Sequence, residues 1–518
     1  MDLCRRLLVL APLLLLTSQA QTVDLLLTGG TVVDGTGAPP RSIAVGIAGD
    51  RITFVGDPSS AKIHARRTLS VAGLIISPGF IDPHTHTLED LSGSRNSNDE
   101  YLLQGVTSVI TGNDGGGPVA TGKTLQAWKT KGIGTNAGLY VGQGSIRSEV
   151  MGMTDAGPTP AQLDAMRRLV RESMESGAFG LSSGLFYAPG SYTKTAEVVE
   201  LAKVAGQMGG IYDTHIRDES SYTIGVMGAI EEAIDIARQA AIPLHLSHIK
   251  VQGPAVWGQS GQAIQLIRKA QAAGIKISAD QYPYTGSGTS LTAALMPRWA
   301  QVGGAQKMLA RIADPADRAR IAADMEKNLV IRGGAGRLLL TTARDPKLIG
   351  KTLEQLAQET RQPPVEAALA VIREGGAGVA SLNIDEADLE NFMRQDFVVT
   401  GSDGSAGHPR KYGTFPRKLR LYVREKKLLT LPEFVRRSSA QTAEDLHIAR
   451  RGLIREGYFA DIIAFDFDKT TDRSTYENPR LYSEGMRYVW VNGKLAVEDG
   501  KYTGVLAGQP LRRNLDTR

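Results

Sequence analysis

Apolar residues change their spacing along this chain in a way that separates its ends from its middle. From Val23 to about Val71 they form short runs broken by turn residues. Asp24-Leu25-Leu26-Leu27 precedes Gly29-Gly30, Thr31-Val32-Val33 precedes Asp34-Gly35, Ile43 to Ile47 precedes Gly49-Asp50, and Arg51 to Val55 precedes Gly56. Such runs predict strands joined by tight turns, hence a small antiparallel unit. The same texture returns in Ala460 to Phe465, Tyr488 to Val491 and Lys494 to Val497, and Asn492-Gly493 between the last two is a hairpin signal. Half-sheets at both ends predict one small β domain built from residues 21–76 and 441–518.

Between them, apolar strands alternate with amphipathic helices. Strands are expected at Ser108 to Ile110, Asn136 to Val141, Gly180 to Ser182, Ile211 to Thr214, Leu244 to Ser247, Lys276 to Ala279 and Phe397 to Thr400, after an entry through Leu74 to Ile76. Helices are expected at Ala161 to Ser176 (Thr159 as N-cap, Pro160 in the first turn), Ala196 to Met208, Ile224 to Ala240 and Gln262 to Ala272. About eight such units predict a closed (β/α)8 barrel, the TIM-barrel class, over residues 77–440. The alternative is an open doubly wound sheet, weakened because no G-x-G-x-x-G opens a helix after the first strand. Residues from about 291 to 342 break the alternation and predict a largely helical insertion at the barrel mouth.

Composition narrows the class. The 518 residues are 42% hydrophobic and 22% charged, as in globular proteins with a sizeable core. The 59 basic and 54 acidic side chains leave a net charge of +5 without a Lys/Arg block, which argues against a nucleic-acid partner. Arg5 and Arg6, the apolar run Leu7 to Leu16 and Ser18-Gln19-Ala20 read as a signal peptide cut before Gln21, too short to span a membrane. This predicts export to a periplasmic or secreted location. The single cysteine, Cys4, lies inside that segment, so any metal site in the mature chain must be built from histidines and carboxylates.

The sharpest chemical feature is Pro78-Gly79-Phe80-Ile81-Asp82-Pro83-His84-Thr85-His86. Two histidines two apart on a strand face the same side and can converge on one ion. His215 and His248 end later strands in successive βα units, where barrel enzymes collect ligands at one rim. His245 has the opposite parity to His248 and is expected to face away and pack; His64 in the β unit and His447 in a helix are read as structural. Asp403 in Gly401-Ser402-Asp403-Gly404 and Asp114 in Asn113-Asp114-Gly115 follow strands directly and complete a set of four imidazoles and two carboxylates.

These residues resemble the amidohydrolase superfamily, and most closely its N-acyl-D-amino-acid deacylase (D-aminoacylase) branch. Gln104-Gly105-Val106-Thr107, Gly180 to Gly190, Asp280 to Tyr284, His408-Pro409-Arg410 and Gly413 to Arg417 extend the resemblance over nearly all of the chain beyond the signal. It implies a metal-bearing barrel with a β-sandwich from both termini. It also implies one metal on His84 and His86, another on His215 and His248, and Asp403 as catalytic acid/base. Tyr187, Lys250, Tyr282 and Arg410 match substrate-pocket positions, with Arg410 taking the substrate carboxylate. The chain departs from the branch in three places: a metal-bridging cysteine is matched by Asp114, the loop after Asp403 is short, and a pocket serine falls at Gly288, with Ser287 beside it. The implied cofactor is zinc, one or two ions, with manganese or cobalt as the alternatives. The implied reaction is hydrolysis of N-acyl amino acids of the D series by metal-activated water. Rival readings are a related amidohydrolase acting on dipeptides or cyclic amides, and a metal-poor binding scaffold without catalysis.

Overall fold

Among the described residues, eight parallel strands form the central sheet. They are β1 (Phe80–Thr85), β2 (Val106–Thr111), β3 (Asn136–Leu139, continued by Val141–Gly142), β4 (Gly180–Gly184), β5 (Ile211–His215), β6 (Leu244–Leu246), β7 (Ile277–Gln281) and β8 (Val398–Thr400). Each pairs with the next, and a parallel bridge from Thr85 to Gly404 closes the ring. This computed structural model describes residues 21–59 and 62–513, so the expected signal segment and Cys4 lie outside the described residues. Every residue of β1 and β2 is buried, as expected where side chains meet the barrel interior on one face and helices on the other.

The helices that follow β3 to β6 lie within two residues of their expected bounds. Pro160–Glu175 starts at Thr159, whose hydroxyl accepts from Gln162 N while the Gln162 side chain caps the Thr159 N–H. Thr195–Gln207, Gly225–Ala240 and Ser260–Ala272 present apolar stripes such as Val198, Leu201 and Ala205 to the strands. Phe80 opens β1 in a second core, stacked on Phe415 and edge-on to Phe434, both ring centroids 5.3 Å away. Gly79 is required just before it, because a Cβ there would collide with the Thr107 side chain.

Both termini build the β-sandwich. A sheet of Arg51–Gly56, Ala44–Ala48, Gln21–Thr28 and Ile63–Ser70 faces one in which Ile75–Pro78 pairs with Ile462–Phe465, which pairs with Met486–Val491. Leu27, Val45, Ile47, Ile76, Ile462 and Trp490 share the core between them. The hairpin from Met486–Val491 to Lys494–Glu498 turns at Asn492-Gly493, both with positive φ (49° and 75°).

The insertion is larger than its expected span. Ser287–Ser290, Leu338–Ala343 and Ala377–Ser381 form an antiparallel sheet. Together with the helices between them they enclose a separate core that includes Leu291, Met325, Leu338 and Leu369. Residues 291–342 lie inside this unit, which runs from 287 to 381. Its second half is indistinguishable from barrel in the sequence, because helix Pro364–Arg373 followed by Ala377–Ser381 imitates the strand-and-helix alternation.

Candidate metal centre

The C-terminal ends of β1, β2, β5, β6 and β8 bring the six expected residues together. Asp114 lies at the middle. Its Oδ1 is 3.5 Å from His84 Nε2, 3.5 Å from His248 Nε2 and 3.8 Å from His215 Nδ1, and its Oδ2 is 3.5 Å from His86 Nε2. Asp403 Oδ1 is 2.9 Å from His86 Nε2 and 3.6 Å from His84 Nε2. Two metal-competent groups result, His84–His86–Asp114–Asp403 and Asp114–His215–His248, with Asp114 common to both. His84 Nε2 and Asp114 Oδ1 are buried without hydrogen-bond partners although they face each other. Buried nitrogen and carboxylate donors turned toward one point in this way fit a cation.

Local backbone explains how the side chains meet. Asp82 Oδ1 accepts from His84 N (3.2 Å) and Ser402 N (3.0 Å), and Asp403 N donates to His84 O (2.9 Å), which locks the end of β1 to the loop after β8. Asp114, His248 and Asp403 all have positive φ (55°, 36° and 48°). Non-glycine residues in the left-handed region are uncommon and concentrate at functional sites.

Around the ligands sits a set of buried acids that the sequence reading passed over. Glu219 Oε1 is 3.2 Å from His248 Nδ1 and 2.5 Å from Lys250 Nζ, and Glu219 Oε2 is 3.8 Å from His215 Nε2. Burial opposes its charge, but Lys250, His215 and His248 hold its carboxyl well below the ordinary range. Of the imidazoles at 2.8 Å from each other, burial pushes His215 down to about 3. Glu219 and Asp114 outweigh burial and Lys250 to hold His248 up at about 9. Asp280 Oδ2 lies 3.6 Å from His84 Nδ1 and 3.1 Å from His245 Nε2. His245 therefore does not point away from the site as its parity suggested. The chain leaves β6 after Leu246, so strand alternation does not reach His248. His447 lies in the turn after helix Ala440–Asp445 rather than inside a helix, and His64 is exposed on Ile63–Ser70. A signal for Glu219 existed: it stands four residues after His215, as Lys250 stands two after His248.

A cavity of about 690 Å³ opens onto this cluster, lined by His86, Asp114, Tyr187, Ser405, Arg410 and the insertion strands at Gly288–Ser290 and Thr341–Ala343. Arg410 is buried at its floor with Nη1 2.8 Å from Asp403 Oδ2. Burial would raise the Asp403 carboxyl, but Arg410 and His86 hold it well below the ordinary range. A Cβ at Gly288 would come within 2.9 Å of Arg410 Nη2, so glycine makes room for the guanidinium there. Tyr187 lines the cavity. Lys250 is committed to Glu219 and His248, and the buried Tyr282 ring lies between Lys250 Nζ (5.8 Å) and Arg410 Cζ (4.7 Å).

The amidohydrolase family profile matches residues 68–497, which spans the barrel and the C-terminal strands of the sandwich. The chain belongs to the amidohydrolase family. Its relatives include a D-aminoacylase of Alcaligenes xylosoxydans xylosoxydans, 33% identical over 96% of this chain and 99% of that one. A solved D-aminoacylase, described with a binuclear metal centre, superposes with a TM-score of 0.82 at 32% identity, covering 95% of this chain and all of that one. The N-acyl-D-glutamate deacylase of Bordetella bronchiseptica, solved with zinc and a phosphonate mimic of the tetrahedral intermediate, gives 0.81 at 29% identity, again covering 95% and 100%.

In this amidohydrolase the donor set of four imidazoles and two carboxylates suits zinc and its neighbours. Glu219 fixes the ring orientation of His248 from behind. Glu219→Gln, which keeps the shape and removes the charge, should weaken divalent-ion affinity about 10- to 100-fold. Competition titration with a chromophoric chelator measures it, and unchanged affinity would show that Glu219 merely neutralises Lys250.

Proposed function

We propose that the protein hydrolyses the amide bond of N-acyl amino acids of the D series, releasing a carboxylate and the free amino acid. One observation carries this reading: Asp114 is shared by two ligand groups beside Asp403, on the floor of a cavity that also presents Arg410. His84, His86, Asp114 and Asp403 would hold one divalent ion and His215 and His248 the other, zinc being the leading choice. A bound ion supplies Lewis acidity and brings the pKa of water from 15.7 to about 7.

The chain's own groups do the rest. Asp403 takes the proton of the attacking water and passes it to the departing nitrogen. Arg410 has a planar fork that matches the substrate α-carboxylate, and its Nε is buried without a hydrogen-bond partner. Tyr187 lines the same space. Kinship with D-aminoacylase and N-acyl-D-glutamate deacylase supports the substrate class. Export rests on the N-terminal segment alone; a mature protein beginning at Gln21 in the exported fraction would bear it out.

The test is a release assay on N-acetyl-D- and L-amino acids, dipeptides and hydantoins, with and without chelator. Turnover of the N-acetyl-D series, lost at least about 100-fold on chelation and restored by zinc, is expected. Hydrolysis confined to dipeptides or hydantoins at full metal loading would replace this reading by its rival.

A further inference from the structure

The cavity over the metal centre does not end at the barrel. One wall of it is the insertion, at Thr341 to Arg344 and Gly375 to Val379. Ala343, Arg344 and Gly376 also line a second cavity of about 440 Å³, which lies wholly within the insertion, and the two spaces adjoin at these residues. The second cavity is apolar inside. Leu356, Ala367 and Val371 in its wall are buried and belong to the insertion core, and Leu348 and Ala343 pack half-buried against that core. Its charged lining residues, Arg344, Asp345 and Glu374, are all exposed.

Helix Pro364–Arg373 explains why this hollow stays open. Val365, Ala368, Leu369 and Ile372 are buried in the core, but the helix is apolar beyond that stripe and leaves Ala370 exposed on the hollow. Alanine at 343, 367 and 370 leaves unfilled the volume that larger side chains would occupy. Apolar surface of this kind gains free energy when an apolar guest displaces its water.

Strand register sets how far the hollow lies from the chemistry. Gly288, against Arg410, pairs with Ala380, and Ala343, at the entrance to the hollow, pairs with Ala377 on the same strand. The three steps from Ala380 to Ala377 advance about 10 Å at about 3.3 Å per residue. Gly376 and Gly378 line the cavity toward that end and carry no side chain to block it. With carbon–carbon bonds of about 1.5 Å, an extended chain of about eight carbons covers the distance, whereas an acetyl group stays at the metal cluster.

We propose that the hollow receives the end of a long apolar acyl chain, so that N-acyl amino acids with acyl groups longer than about eight carbons are better substrates than N-acetyl ones. This rests on the deacylase reading, in which Arg410 takes the α-carboxylate and the amide lies over the metal cluster. The acyl chain is then the part of the substrate free to follow the insertion sheet.

Fatty acids are the carboxylate product of such a substrate and probe the hollow without turnover. Isothermal titration of acetate, hexanoate, octanoate and dodecanoate, below micelle concentrations, into the full, metal-loaded protein reads the effect. Affinity should change little up to hexanoate and then rise about two- to fourfold per methylene from octanoate to dodecanoate. Ala370→Trp, which fills the hollow from an exposed helix position, should remove that rise. If it does not fold, Ala370→Gln, a good helix former that puts a polar group in the hollow, carries the comparison. In the wild type, kcat/KM on N-dodecanoyl-D-leucine should exceed that on N-acetyl-D-leucine at least about tenfold, and the ratio should fall at least about fivefold in Ala370→Trp. Equal affinities for hexanoate and dodecanoate, or the same rise in the wild type and both Ala370 variants, overturn the proposal. If N-acetyl-D-leucine is hydrolysed with no gain from the longer chain, the proposal fails and the deacylase reading stands. If no N-acyl amino acid is hydrolysed, the deacylase reading fails, and the titrations still decide whether the hollow binds an apolar chain.

Discussion

Asp403→Asn is expected to lower kcat/KM by about 10³- to 10⁴-fold with divalent-ion content near that of the wild type. The amide keeps the size of the side chain and one oxygen near His86, so His84, His86 and Asp114 continue to hold the ion. What disappears is a group able to take a proton from water and return it to nitrogen, a loss of about 4–5 kcal/mol of transition-state stabilisation. The substitution has a second cost, because Arg410 sits 2.8 Å from Asp403 and loses its counter-charge in a buried setting. Stability should therefore fall as well. Elemental analysis and a melting curve, run beside the kinetics, separate the two effects. Turnover within about threefold of the wild type, with metal bound, would remove Asp403 from the chemistry.

Asp114→Ala should do more damage to metal binding than loss of any single histidine. Its two oxygens face all four imidazoles, so removing it takes a donor from both ligand groups at once and leaves the buried rings without their central negative charge. We expect divalent-ion affinity to fall at least about 100-fold and activity at limiting metal to fall with it, since liganding free energy at such sites is large. Equilibrium dialysis against zinc, manganese and cobalt measures the loss. Asp114→Cys is the informative companion: thiolate carries the same charge but is a softer donor, and should shift preference toward zinc relative to manganese. Retention of full affinity in Asp114→Ala would mean that the carboxylate is a turn residue and not a ligand.

How much of this was legible beforehand can be judged residue by residue. His84 and His86 were readable because their spacing of two, at and just past the end of the buried strand β1, places both at one end of the barrel. His215, His248, Asp114 and Asp403 were readable because each directly follows an apolar strand, and parallel strands in a closed barrel deliver their ends to a common rim. His245 packs in the core as expected, against Ser278 and Asp280, but its direction does not follow from its parity to His248, because that rule holds only inside a strand and the left-handed turn at His248 (φ 36°) resets the alternation. The contact of Lys250 with Glu219, 31 residues away, was not legible, because it appears only when β5 and β6 pair.

Periodicity, turn chemistry and strand-end donors by themselves determined the barrel, the sandwich shared by both termini and the six residues of the candidate metal cluster. These are properties of consecutive residues, and hydrophobic burial turns them into structure with little choice. Tertiary structure alone decided the full extent of the insertion, the pairing of Arg410 with Asp403 and the acids behind the histidines. Those depend on side chains that meet across long stretches of chain, and the cost of burying a charge has no meaning until the fold has brought its neighbours into place.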